Sequence, residues 1–267
     1  MPNLVTIEKK EHIAYVRLNR PKKYNALNPE MFKQIYEAGC DVSADRSVRS
    51  VILSGEGRGF CAGLDFESFK KMGDGSIEFD LFMRPGGNIA NYAQLVSHIW
   101  KQVPVPVIAA LHGVAYGGGL QIALGADIRL ASPDSRLSMM EIVWGLTPDM
   151  SATVTLRDLV RIDVAKELIL TGKVLNANDA AALGLVTRVC EDPLSEAIKM
   201  AEILCQKSPD AVVSGKRLIE KSWRSSAEQA YLMEETTQRA LIGKPNQVEA
   251  INASFKKTQP EFLNRVL

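Results

Sequence analysis

Near the start of the chain apolar and polar positions alternate, with Ala14, Val16 and Leu18 on one face and Ile13, Tyr15 and Arg17 on the other. That period of two predicts a strand over residues 13–18 paired with another over residues 4–7. Asn28-Pro29 then opens a helical period, Asn28 as N-cap and Pro29 in the first turn, with Phe32, Ile35, Tyr36, Gly39 and Cys40 on one face. A second strand-to-helix unit follows: a strand over residues 48–53, a turn at Phe60-Cys61-Ala62-Gly63-Leu64-Asp65 and a helix over residues 66–72. Gly73-Asp74-Gly75-Ser76 and Arg84-Pro85-Gly86-Gly87 bracket a short apolar piece, read as a mobile loop over a pocket. Next come a helix over residues 91–102, a strand over 107–111, the turn Tyr116-Gly117-Gly118-Gly119-Leu120-Gln121, a short helix ending near Gly125, and strands over 127–131 and 136–139. Strands alternating with helices predict an α/β fold with a mainly parallel sheet.

Beyond Asp149 the pattern turns helical, with helices predicted over residues 152–160, 164–170, 177–182, 194–205, 211–221, 227–241 and 247–257. The one clear strand there covers residues 185–189. Residues 1–207 are expected to form the core that carries the site. The helical remainder, 208–267, is too short for an independent core and should pack on that core and on neighbouring subunits. No internal repeat or low-complexity tract is evident.

Composition narrows the function. With 267 residues, 46% hydrophobic and 24% charged, the chain has the make-up of a soluble globular protein, and its net charge of +1 offers no field for nucleic acid or an anionic membrane. The longest apolar stretch, residues 103–126, is broken by Pro104, Pro106, His112, Gln121 and several glycines, so it reads as a buried strand, turn and helix. Cys40, Cys61, Cys190 and Cys205 lack C-x-x-C spacing, and the first ten residues resemble neither a secretion signal nor a transit peptide. A cytoplasmic location is expected.

The two glycine-bearing turns carry the chemistry. Each follows a strand-like run, and together they could aim two backbone N–H groups at one point, the geometry of an oxyanion hole. Glycine at 118 admits a ligand close to the main chain, and a helix N-terminus adds unpaired N–H groups. A dinucleotide G-x-G-x-x-G would need glycine at Ile122, and no G-K-[ST] follows either turn. His12, His98 and His112 are scattered, with no H-E-x-x-H or G-x-S-x-G, so neither a metal site nor a serine triad is expected. Cys61 beside the first turn reads as a small buried thiol more readily than as a nucleophile.

Leu18-Asn19-Arg20-Pro21 followed by Asn25-Ala26-Leu27, the Phe60–Asp65 turn, and Gly117-Gly118-Gly119 followed by Ala126-Asp127-Ile128-Arg129 together resemble the crotonase superfamily, the enoyl-CoA hydratase/isomerase family. The resemblance continues through Glu141-Ile142-Val143-Trp144-Gly145-Leu146, Leu170-Thr171-Gly172-Lys173 and Ala180-Ala181-Ala182-Leu183-Gly184-Leu185-Val186, in order and spacing over nearly the whole chain. It implies a spiral of repeated ββα units, a helical C-terminal region that packs between subunits of a trimer or a dimer of trimers, and a CoA thioester as substrate with no separate cofactor. Carried over by position, the oxyanion amides fall on Ala62 and Gly118, and the CoA-contacting backbone on Ala62, Gly63, Leu64 and Asp65. A contact to a neighbouring subunit's CoA falls near Phe255, Lys256 and Lys257. Lys22 and Lys23 would attract the CoA phosphates, although lysines after a strand are more often merely solvated. Phe82, Met83, Trp144 and Leu146 would line the acyl pocket, with core packing as the default alternative.

The resemblance also places three polar side chains at the site. Gln121 stands where the family's hydratases carry one of two catalytic glutamates; an amide can hold substrate or water but cannot exchange protons near neutrality. Glu141 matches the second glutamate, the one kept by monofunctional isomerases, and a single carboxylate can move a proton between two carbons. Apolar Met139, Met140, Ile142 and Trp144 around it would raise its pKa by desolvation. Asp149 resembles the aspartate facing that glutamate in dienoyl-CoA isomerases, and could equally cap a helix starting at residue 151 or 152. Double-bond isomerisation is therefore the expected reaction. Hydration using Glu141 with Gln121 and Asp149 is the alternative, and a CoA-ester-binding protein with weak catalysis is the third.

Overall fold

The computed structural model describes residues 3–74 and 80–266. Gly75 and Ser76 of the expected mobile loop lie outside the described residues. The strands are β1 (Val5–Lys10), β2 (Ile13–Leu18), β3 (Ser50–Gly55), β4 (Val107–Leu111), β5 (Val114–Tyr116), β6 (Ile128–Ala131), β7 (Arg136–Ser138), β8 (Leu175–Asn176) and β9 (Arg188–Val189). The helices are α1 (Pro29–Ala44), α2 (Phe66–Asp74), α3 (Tyr92–Gln102), α4 (Gly118–Leu124), α5 (Ala152–Leu156), α6 (Ile162–Thr171), α7 (Ala177–Ala182), α8 (Pro193–Cys205), α9 (Pro209–Ser222), α10 (Ala227–Leu241) and α11 (Pro245–Lys256).

The large sheet runs in the order β1-β2-β3-β4-β6-β9; β1 and β2 pair antiparallel and the remaining neighbours pair parallel, as the strand–helix alternation predicts. Both of its faces are covered. Ala14, Val16, Leu18, Val51, Leu53, Val107, Ala109 and Leu111 share the main core with α1, α3 and α4. The alternating partners Ile13, Tyr15, Ile52, Ile108, Ala110 and Leu130 pack against Ala197 and Ala201 of α8. Two-sided burial explains why β4 and the Val51-Ile52-Leu53 centre of β3 are apolar without alternation.

A smaller sheet, in the order β5-β7-β8, lies beside the first. Single bridges between Leu27 and Leu64, and between Cys61 and Ala115, carry its pattern to earlier turns of the chain. A strand of the large sheet, a short extended piece in the small one, then a helix recurs along β2–Leu27–α1, β3–Cys61–α2 and β4–β5–α4. This is the ββα spiral. No sequence repeat betrays it because the connections differ in length and β5 and β8 span only 3 and 2 residues, too few for an alternation to register.

Asn28 caps α1 as expected, accepting from Met31 N, but the buried face is Met31, Phe32, Ile35, Ala38, Gly39 and Val42, while Cys40 is exposed. The helix expected over 152–160 stops at Leu156, and the strand expected over 185–189 shrinks to Arg188–Val189 because Leu185 and Val186 turn into the core. Among the described residues no helix is long and apolar enough to cross a membrane.

Buried cations tie the C-terminal helices to the sheet. Lys216 Nζ on α9 donates to Trp100 O and Val105 O at 3.1 Å and to Asp127 Oδ2 at 2.7 Å, and Asp127 Oδ2 also accepts from Val107 N at 2.7 Å. Burial opposes both charges, raising the Asp127 pKa and lowering that of Lys216. Arg49 binds Cys205 O and Phe262 O, and Arg265 binds Ser43 O and Asp45 O, fastening the last residues to the α1–β3 connection. In the Ala126-Asp127-Ile128-Arg129 motif, Arg129 donates to Leu185 O and Ala126 O, so the motif's charged side chains are spent on packing. Removing one partner of a buried pair strands the other charge. Lys216→Ala is expected to cost about 3–5 kcal/mol by denaturant titration, and Lys216→Ala/Asp127→Asn less than the single change.

Candidate active site

The two glycine-bearing turns meet. Cys61 N donates to Val114 O at 3.0 Å and Tyr116 N to Cys61 O at 2.9 Å, and a Cβ placed on Gly63 would lie 3.6 Å from Gly118 N. The amide expected at Ala62 is not available to a ligand, because Ala62 N donates to Tyr24 O at 2.9 Å. Two residues on, Leu27 N donates to Gly63 O at 2.7 Å and Asp65 N to Leu27 O at 2.9 Å, and the Leu64 N–H between them has no acceptor among the described residues. Gly118, the first residue of α4, likewise keeps its N–H without an acceptor, while Gly117 N is taken by Ser138 O at 2.8 Å. Among the described residues, Leu64 and Gly118 thus each bring a free amide to the place where the two turns meet.

Glu141 sits on a 3-10 helix, Met140–Trp144, that follows β7 and brings it back over the second turn. Its Oε1 would lie 3.2 Å from a Cβ on Gly117, and it accepts from Gln121 Nε2 at 2.6 Å. Its Oε2 is buried without a hydrogen-bond partner among the described residues. Desolvation raises the Glu141 pKa most, and the nearby Asp149 charge adds to the rise against the hydrogen bonds that lower it. Asp149 is accessible to solvent, yet the protein around its carboxyl also raises its pKa by desolvation. It caps nothing: α5 starts after Ser151, and no side chain caps that end. Gln121 is fully buried, and the amide expected to hold substrate or water is engaged by the protein at both ends, since its Oε1 accepts from Met150 N at 2.8 Å.

Other expected residues are placed less centrally. Asp65 turns its carboxyl to Arg20, at 2.5 Å, and to Glu67 N, so its side chain braces the turn. Lys22 and Lys23 are exposed on the turn before Tyr24, Lys23 within 3.9 Å of Glu67. Trp144 meets Phe66 edge-on at 5.1 Å between ring centroids, linking the Glu141 segment to the start of α2. Phe82, Met83, Trp144 and Leu146 are all exposed, so the core-packing alternative does not hold for them. Phe255, 85% exposed, and Lys256 and Lys257 lie at the end of α11. Burial pushes the Cys61 thiol up to about 12, which removes it as a nucleophile. A cavity of about 370 Å³ lined by Arg17, Glu56, His112, Asp134 and Glu191 contains none of these site residues.

Asn25 was not expected to matter individually. It is fully buried, accepts from Arg20 N at 2.7 Å, and sets Nδ2 3.0 Å from the carbonyls of Glu56, Gly59 and Phe60. It therefore fixes the turn that presents Leu64. Its place within the Asn25-Ala26-Leu27 motif was the available signal.

The meeting of the two turns and the ββα spiral define a crotonase-type fold. A family model described as enoyl-CoA hydratase/isomerase matches residues 8–265. The short-chain-enoyl-CoA hydratase of Clostridium acetobutylicum is 33% identical over 98% of this chain and 99% of its own, and the crotonyl-CoA hydratase of Syntrophomonas wolfei is 30% identical over 98% of each. The crystal structure of an enoyl-CoA hydratase from Mycobacterium tuberculosis superposes with a TM-score of 0.86 at 27% identity, covering 99% of this chain and 100% of that one. The chain belongs to the enoyl-CoA hydratase/isomerase family, which acts on acyl-CoA thioesters.

Proposed function

We propose that the protein holds an enoyl-CoA by its thioester carbonyl on the Leu64 and Gly118 amides and that Glu141 moves the proton. The observation that carries this reading is Glu141 Oε2, buried and without a partner among the described residues, beside the glycine turn. Ionised, Glu141 takes a proton from the α-carbon of a 3-enoyl-CoA, and the C–H electrons pass into the thioester as an enolate whose oxygen the two amides stabilise. The protonated carboxyl then delivers that proton to the γ-carbon, the electrons return, and the double bond lies between the α- and β-carbons. One carboxylate and no water suffice, so isomerisation is the reading this geometry favours.

Hydration is the second reading, favoured by the names of the relatives. In it Asp149 serves as the second carboxylate that Gln121 cannot be. Lys22 and Lys23 are proposed to face the CoA phosphates, and Phe82, Met83, Trp144 and Leu146 the acyl chain. The 208–267 region, with exposed Trp223, Tyr231, Leu232 and Phe255, is proposed as the face between subunits of a trimer or a dimer of trimers.

Purified protein assayed on trans-3-enoyl-CoA and on crotonyl-CoA separates the readings. Turnover of the first alone is the expected result; turnover of crotonyl-CoA to the 3-hydroxyacyl product supports hydration. Tight binding of either ester without turnover overturns both.

A further inference from the structure

We infer that Gln121 is a positioning residue that holds Glu141 by one oxygen and so assigns proton transfer to the other; this rests on Glu141 being the base. The orientation of the Gln121 amide is fixed by a partner that can only donate. The Met150 backbone N–H points at one end at 2.8 Å, so that end is the carbonyl oxygen, and the NH₂ end must face Glu141. An NH₂ group needs an acceptor. At 2.6 Å it holds Glu141 Oε1 as an acceptor in both protonation states, which leaves Oε2 as the atom that gains and loses the proton.

The backbone of Gln121 is as tightly held as its side chain. Its N–H donates to Gly117 O at 3.0 Å, and its carbonyl accepts from Ser97 Oγ at 2.6 Å. The residue is fully buried, so moving its side chain would disturb closely packed neighbours. One side chain thus joins α4, which presents the Gly118 amide, to the Glu141 helix and to the backbone beside Asp149. The amide also opposes the effect of burial on Glu141, because a donor to the charged form favours that form.

Two substitutions test the assignment. Gln121→Met keeps approximate length and loses both polar contacts; Gln121→Glu keeps an acceptor for Met150 N–H but sets a second carboxyl against Glu141. Gln121→Met is expected to lower kcat by about 10²-fold through misplacement of the base, with KM little changed and the acidic limb of the kcat/KM profile moved to higher pH. Gln121→Glu is expected to replace the single limb by two steps, one below and one above the wild-type value, since two adjacent carboxyls that share a proton titrate as a pair. A residue that merely fills space would change kcat without moving the limb.

If Gln121→Met does not fold, the limb of Gln121→Glu decides. Limbs that coincide with wild type in the folded variants, while Glu141→Gln is inactive, overturn the positioning role and leave the base intact. An active Glu141→Gln instead overturns the proposed function itself.

Discussion

Glu141→Gln is expected to lower kcat/KM on the productive enoyl-CoA by about 10²–10⁴-fold, the range a positioned proton carrier supplies, while affinity for the thioester is retained. Gln keeps the shape and can still meet the Gln121 amide, but it cannot take a proton from carbon. The wild-type enzyme should lose activity on acidification through a limb above the ordinary glutamate value, because desolvation first, then the Asp149 charge, raise the Glu141 pKa. The same shift makes a stability statement. A carboxyl whose folded pKa exceeds its unfolded one favours folding below the unfolded value, and that advantage is lost as pH rises through the folded pKa. Above it the ionised, buried group is a cost that Gln does not carry. Thermal melts should therefore show Glu141→Gln with the higher Tm at neutral pH and the gap closing toward acid. A variant with wild-type kcat/KM, or a Tm difference that grows on acidification, contradicts the role assigned to Glu141.

Gly119→Ala is expected to lower activity by about 10²-fold for a different reason. A Cβ at 119 would lie 2.3 Å from Cys61 O, which Tyr116 N holds, and 2.8 Å from Cys61 Cβ of the same turn. No flexible side-chain tip can swing away, so the two turns must separate and the Leu64 and Gly118 amides move apart. Misplacement on the scale of an ångström costs about 10²-fold in rate, and overpacking of this kind costs roughly 1–3 kcal/mol of stability. Gly215→Ala is the control: it is a helical glycine on α9 with nothing within 4 Å of the added carbon, so stability should hold or rise by up to about 1 kcal/mol. Wild-type kcat/KM for Gly119→Ala would show that the contact between the turns is not needed.

What the chain discloses in advance is local. Asn28-Pro29, the alternation through β2 and the apolar run of β4 each act within a few residues, and these elements stand where their signals put them. The pairing of the two turns was legible too, as a motif. Which amide of the first turn is free was not, because the Ala62 N–H is consumed by a carbonyl at Tyr24 and the Leu64 N–H is left over only once Leu27 has bridged to it. Gln121 gives the same lesson. Its residue type excluded proton transfer, yet its actual task depends on Met150 N, 29 residues away. Asp149 could cap a helix by sequence rules, but the left-handed Ser151 turns the chain before α5 begins and leaves that carboxyl beside Glu141.

The central claim is tested most directly by the structure of Glu141→Gln with a bound enoyl-CoA. The thioester oxygen is expected within about 2.7–3.1 Å of both Leu64 N and Gly118 N, with the α-carbon next to the side-chain end that replaces Glu141 Oε2. A carbonyl held by other donors, or a chain threaded so that residue 141 faces away from the α-carbon, would contradict it.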